Sequence, residues 1–397
     1  MDHLVDYIQW MGELSFTSLP FSEADALVLC MLSYYDFSPL FSEGGEGPHP
    51  VSEALRLIEE DKVRVMLVGR DRGFAKILDC AARSRRYGSL LMRDYVDLYR
   101  QDPPLQFSAL TFCAPELRFV AFRGTDDSLA GWEEDFMISF TVTEAQKLAA
   151  EYLAGHLSAE LPVLVGGHSK GGNLALYASC SLGDEELEQL SHVYLLDGPG
   201  ICPEVMDDGC LRRIDGKTTV IQPAFSIVGK LFEPKFSDSR IVQSSASGFV
   251  QHSLDTWGID HGKLLAADGP NTRSVWINDL LARWIAGITQ EDRVVFVQEL
   301  FDVLAADGAV SLDEIEERGV GGFEAMLVKF FSSSEITRKT VYDLPKRAIL
   351  GENYDEISEK GVSGWLMDRI LSWQNQVVER ARESDAAQEG QAERKDD

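Results

Sequence analysis

Val163-Leu-Val-Gly-Gly-His-Ser-Lys-Gly-Gly-Asn-Leu-Ala-Leu176 is the stretch on which the fold turns. It opens with an apolar run, Val163-Leu164-Val165, of the kind required by a strand buried on both faces. It closes as a helix of small and apolar residues, Asn173-Leu-Ala-Leu-Tyr-Ala178. Between them, Gly167-His168-Ser169-Lys170-Gly171 matches G-x-S-x-G in the strand–turn–helix setting where that pattern carries a nucleophilic serine. A serine on so sharp a turn is driven into a strained backbone conformation. The turn closes only if the residues two before and two after lack side chains. It aims the Ser169 hydroxyl out of the sheet and leaves the Lys170 N–H at a helix N-terminus, where a developing oxyanion is favoured. The competing reading is a Gly-rich turn whose serine is only a cap.

Upstream, Phe107–Phe112 and Leu117–Phe122 alternate like strands, and Cys113-Ala-Pro-Glu116 joins them as a hairpin. The second strand runs into Arg123-Gly-Thr-Asp-Asp-Ser-Leu-Ala-Gly-Trp-Glu-Glu-Asp-Phe136. An amphipathic helix is expected from about Thr143 to Glu160, with Leu148, Ala149, Tyr152 and Leu153 inward. Strand, helix, strand, sharp turn, helix is the βαβ logic of a mostly parallel sheet.

Downstream, Val193–Leu196 reads as a buried strand. Asp197 stands at its C-terminal end, the edge where α/β sheets carry their sites. Thr218–Gln222 is the next strand and Ile241–Ser245 the last. His252 falls in the loop beyond, late in the order Ser…Asp…His of α/β-hydrolases. Among the seven histidines, His261 is its rival, and His168 is expected to point to the side opposite Ser169. The candidate acids are Asp197, Asp238, Asp255 and Asp260. Asp255 is too close in sequence to reach the far ring nitrogen of His252, and Asp238 sits in a polar turn. Asp197 is the choice made on topology.

Before the sheet, Ser22-Glu-Ala-Asp25 is a capping box opening a helix. Residues 1–20 form a lead-in with Trp10 and Phe16 able to pack. Residues 41–50 are a Gly/Pro loop, and two further helices are expected between Ser52 and Leu98. The basic Arg83–Arg86 run reads as a solvated helix end. Beyond Asn271 the pattern turns helical: an α/β-hydrolase domain over 1–270 is followed by a helical C-terminal domain, 271–379. Asp307–Glu314 resembles a calcium loop in spacing, but Val303 and Ala305 would occupy ligand positions and cannot serve. Residues 380–397, polar and without aromatics, are expected to be a disordered tail.

Hydrophobic residues make up 45% of the 397, enough to bury a real core. The net charge of −28 repels phosphate backbones and anionic lipid, which argues against nucleic acid as a partner. The six cysteines form no CxxC and read as reduced core thiols. The acidic start lacks a signal peptide's basic and apolar regions. No apolar run approaches the ~18 residues of a membrane helix, so a cytoplasmic location without stable membrane insertion is expected. The C-terminal helices are expected to pack beside the sheet or to form a homodimer.

Phe122-Arg-Gly-Thr125, with Trp132, Asp135 and the Gly-His-Ser-Lys-Gly turn, resembles the class 3 (fungal-type) lipase branch of the α/β-hydrolases. More narrowly the chain is similar to a bacterial family of lipase-3-like proteins, a domain of unknown function. In that family Asp25-Ala-Leu-Val, the Phe-Arg-Gly-Thr-Asp-Asp-Ser run and Gly248-x-x-Gln-His252 recur. The resemblance covers about residues 1–265. It implies that Thr125 offers its N–H, and its hydroxyl, to the oxyanion hole opposite Lys170, with Asp135 holding Thr125. It puts residues 126–136 where lipases carry an amphipathic lid, although here the run is acidic, which weakens the case for action at a lipid interface; the alternative is a solvated acidic loop anchored by Trp132. It would also place the acid at Ser226, where this chain has a hydroxyl.

The expectation is an α/β-hydrolase with Ser169, His252 and Asp197 catalytic and Thr125 and Lys170 as oxyanion donors. The reaction would be hydrolysis of an ester, thioester or lipid acyl bond of a small-molecule or lipid substrate. No metal or organic cofactor is implied. The alternatives are an acyltransferase or peptidase with the same triad, or a non-catalytic hydrolase-fold interaction protein.

Overall fold

The structure is a computed structural model. It describes residues 4–43, 47–66, 73–126, 129–272, 274, 275, 278, 289–304, 329, 332–334 and 337. Eight strands form one sheet in sequence order: β1 (His49–Pro50), β2 (Leu91–Arg100), β3 (Leu105–Cys113), β4 (Arg118–Phe122), β5 (Val163–His168), β6 (Leu190–Leu196), β7 (Thr218–Pro223) and β8 (Asp238–Val242). β1 to β4 pair antiparallel, and β4 to β8 pair parallel.

Sequential order among parallel neighbours has a packing consequence. Right-handed crossovers between adjacent strands deliver their helices to one face, so the other face needs a separate cover. The crossover helices α8 (Glu144–Gly155), α9 (Lys170–Ser181) and α11 (Asp208–Ile214) share one apolar core, in which Ala149, Leu153, Leu174 and Ile214 meet Val120, Phe122 and Val165. The opposite face is covered from the N-terminal part of the chain, by α1 (Leu4–Met11), α2 (Glu23–Leu32) and α5 (Gly73–Arg83). Leu4, Ile8, Leu27 and Leu78 there pack with Phe119, Ala121 and Leu164. Strand neighbours thus alternate between two cores, as a period of two demands.

Several elements follow the sequence reading. The β3–β4 hairpin, the Ser22–Asp25 capping box and the start of α8 are as expected; α8 is capped by Thr143 and Gln146 and ends at Gly155. The six cysteines are free thiols. Among the described residues no helix is long and apolar enough to cross a membrane.

Other elements differ. The 52–98 segment forms α4 (Ala54–Glu59), α5 and α6 (Arg85–Gly88), but its end is strand β2 rather than helix. A register shift between Arg93 and Val96, with Asp94 at φ 53°, breaks the alternation that would have revealed it. β8 begins at polar Asp238, not Ile241. It is an edge strand, and beyond Val242 the chain leaves the sheet to pair Gln243 with Leu265 and Gly258. Trp10 is exposed, whereas Phe16 is buried.

Arg86 is the largest correction among the charges. It is buried rather than solvated: Nε and Nη2 each meet the Asp25 carboxylate at 2.7 Å, and Nη1 donates to the Leu14 and Leu19 carbonyls. This fork ties α6 to α2 through the same aspartate that caps α2.

Short helices α3 (Ser38–Glu43) and α10 (Asp184–Gln189) lie on the connections, and two further helices matter below. α7 (Leu129–Met137) follows β4, and α12 (Gln290–Leu304) packs against it, with Gln290 Nε2 donating to Phe140 O at 2.6 Å. The rest of the expected 271–379 domain falls largely outside the described residues, as do the Asp307–Glu314 loop and the 380–397 tail.

Candidate active site

Ser169 sits between β5 and α9 with φ 57° and ψ −126°, a left-handed region that a side-chain-bearing residue occupies only under constraint. The flanking glycines supply that constraint. A Cβ on Gly167 would lie 2.2 Å from the Gly171 carbonyl, and one on Gly171 would lie 2.1 Å from Phe122 O. The Ser169 N–H bonds to Leu196 O at 3.0 Å, which sets the turn beside the end of β6. Ser169 O accepts from the N–H groups of Gly172 and Asn173. The Lys170 N–H stands at the first helical position, among the donors a helix leaves without an internal partner.

Asp197 follows the last residue of β6, fully buried and at φ 47°. Its Oδ2 lies 2.6 Å from His252 Nδ1, and its Oδ1 accepts the Ser226 hydroxyl at 2.5 Å. His252 ends a 3₁₀ turn, Gly248–His252, beyond β8. The other candidate acids are engaged elsewhere: Asp238 with Thr219 and Arg240, Asp255 with Ser253, and Asp260 with His261. The structure therefore brings Asp197 and His252 together at the edge where Ser169 emerges. Ser226, where the resemblance would have placed the acid, donates to Asp197.

His168 does not stand apart from this arrangement. Its ring lies 4.5 Å from that of His252, and its Nε2 lies 2.8 Å from His252 O. A carbonyl only accepts, so Nε2 carries the proton and Nδ1 accepts from Tyr34 Oη at 2.7 Å. Burial holds the ring's pKa well below 6.5, keeping it neutral for both bonds. Tyr34, in the turn after α2, needs the glycine of the Phe-Arg-Gly-Thr run, since a Cβ on Gly124 would fall 2.0 Å from its hydroxyl. Tyr34 carries no signal of its own in the sequence, and His168, expected to point away from Ser169, instead packs against His252. The signal lies in contacts 134 and 84 residues apart.

From Leu129 the acidic run after β4 is the helix α7 rather than a loop. Asp126 and Glu134 are buried, and the Thr125 hydroxyl donates to Asp135 Oδ2. Burial pushes the Asp135 carboxyl up to about 6, against the pull of Lys170 and the Thr125 bond. The Lys170 side chain, also missed in the sequence, is buried. Its Nζ donates to Glu134 Oε2 at 2.6 Å, to Gln106 O at 2.8 Å and to Gln106 Oε1 at 3.2 Å.

No curated protein matches this chain. Among solved structures, the crystal structure of M37 lipase shares 15% identity over 53% of this chain and 70% of its own, with a TM-score of 0.33. The model of the Mbeg1-like family matches residues 81–302, a span that holds Thr125, Asp135, Ser169, Lys170, Asp197 and His252. That span exceeds half of the sequence, and the chain belongs to the Mbeg1-like family.

Proposed function

We propose that the protein is a serine hydrolase that cleaves a carboxylic ester, thioester or lipid acyl bond through an acyl-Ser169 intermediate. The observation that carries this reading is the 2.6 Å Asp197–His252 contact beside a serine at φ 57° on a Gly-x-Ser-x-Gly turn. In the first step, His252 Nε2 takes the Ser169 proton as Oγ attacks the acyl carbon. Asp197, held by Ser226, keeps the Nδ1–H tautomer and stabilises the imidazolium. Negative charge gathers on the former carbonyl oxygen, where the N–H groups of Lys170 and Thr125 are its donors. Collapse expels the alcohol or thiol with the proton from His252. Water then enters by the same route in reverse, and the acid leaves.

The class 3 lipase likeness belongs to this reading and supplies the role of Thr125. Free thiols throughout fit a reducing compartment such as the cytoplasm. Labelling with a fluorophosphonate probe between pH 6 and 9, wild type against Ser169→Ala, tests the proposal. Labelling of wild type alone is expected. Silence of both would favour a non-catalytic, binding role for the fold.

A further inference from the structure

Resting on the hydrolase reading above, we infer that α7 is the clamp that assembles the oxyanion hole, with Glu134 holding Lys170 as its neighbour Asp135 holds Thr125. The Thr125–Asp135 contact was expected from the family resemblance. The Glu134–Lys170 contact is the new element, and it changes what α7 does.

A lysine ammonium has three donors, and here three acceptors meet it: Glu134 Oε2, Gln106 O and Gln106 Oε1. Both partners of the ion pair are shut away from water, with side-chain exposures of 0% and 2%. Glu134 Oε2 also accepts the Gln106 N–H at 2.9 Å. One carboxylate oxygen therefore joins α7, the start of β3 and the first residue of α9. The side chain of Lys170 is anchored at its far end while its own N–H lies at the elbow. Glu134 and the Lys170 ammonium are thus positioning groups: they act through the main chain of Lys170 and touch no reacting atom.

Two consecutive residues of one helix hold the two residues whose N–H groups face the developing charge. If α7 left its place, the Lys170 ammonium would lose its counter-charge and Thr125 its acceptor in one motion. A buried charge stripped of its partner is strongly unfavourable. The docked position of α7 is then the competent one, and substrate reaches Ser169 while α7 stays in place. A lipid-sensing lid would behave in the opposite sense, becoming competent on leaving.

Lys170→Met alone could fail to fold, because it leaves Glu134 buried without a partner. The decisive variant is therefore Lys170→Met/Glu134→Leu, which removes both charges and keeps the volume; such replacements of buried pairs are often tolerated. Glu134→Gln is its conservative counterpart, since the amide oxygen can still accept from Nζ and from the Gln106 N–H. The readouts are kcat and KM on a short-chain acyl ester, affinity for an alkyl boronic acid that forms a tetrahedral adduct on serine, and the melting temperature.

The double variant should fold and lose about 10²-fold in kcat and in boronate affinity, the scale of one oxyanion donor, with KM within threefold of wild type. Glu134→Gln should recover kcat to within about tenfold of wild type, as expected of a retained acceptor. A double variant with wild-type kcat, or one that loses kcat, KM and melting temperature together, would show the pair to be packing only. If wild type neither labels with fluorophosphonate nor turns over the ester, the hydrolase reading falls and this inference with it. If wild type labels and the double variant labels equally fast, this inference alone falls.

Discussion

Replacing Asp197 by Asn isolates the contact on which the proposed mechanism depends. The new amide has two orientations. With its oxygen toward Ser226, it keeps the 2.5 Å bond from that hydroxyl and turns its NH₂ to His252 Nδ1. His252 must then carry its proton on Nε2, the nitrogen that should receive the proton of Ser169. With the amide reversed, the Ser226 hydroxyl must turn from donor to acceptor, and its buried hydrogen loses the carboxylate it points to. Leaving a buried donor unsatisfied costs about 1–3 kcal/mol. The first orientation therefore dominates, and it enforces the wrong tautomer. The corresponding change in a serine-protease triad lowers kcat by about 10⁴, and a loss of that order is expected here. At ~1.4 kcal/mol per tenfold this is between 5 and 6 kcal/mol of transition-state stabilisation, roughly. The assay is kcat on a short-chain acyl ester, with circular dichroism and melting to confirm the fold. A variant within tenfold of wild type would refute the role of Asp197. If Asp238→Asn or Asp255→Asn instead abolished turnover, the acid would be reassigned.

Thr125→Val should retain the fold and cost about 2–4 kcal/mol in kcat/KM if the hydroxyl acts as well as the N–H; full activity in steady-state assays would leave only the main chain. Activity on short acyl esters should rise smoothly through the solubility limit, because α7 is tied down through Glu134; a jump at that limit would show a lipid-sensing lid. Asp135 carries a folded pKa of about 6 against 3.8, so it stabilises the fold most below about pH 4, and this contribution fades as pH rises through 6. The melting temperature of Asp135→Asn, relative to wild type, should therefore climb between pH 4 and 7.5; a constant difference would contradict the assigned burial. Tyr34→Phe should cost about 1–3 kcal/mol in chemical denaturation, because Nδ1 of His168 loses its donor, and it should lower kcat by loosening the His252 main chain.

The Gly-x-Ser-x-Gly turn was legible in the sequence because its cause is local. Backbone sterics exclude a Cβ at Gly167 and Gly171, and the periodicity changes from strand to helix within a few residues. The parallel strands on either side were legible for the same reason: each is a short apolar run with its own turn signals. Asp197 and His252 came from topology, since a parallel sheet brings its C-terminal ends to one edge whatever the loops do. Charges read one at a time were misread. Arg86 and Glu134 looked like solvated groups because most charges are, yet each is buried against a partner 61 or 36 residues away in sequence. The same holds for Ser226, which looked like a lost acid and instead orients Asp197, and for His168, which anchors His252 through its carbonyl. β2 was hidden by its own bulge. Sequence by itself determined where the chain must turn, where it must be apolar and which hydroxyl is strained into view, because these follow from sterics and period within a few residues. Only the tertiary structure decided which carboxylate meets which cation or imidazole, because those pairings exist only after the sheet has closed and water has been removed from between them.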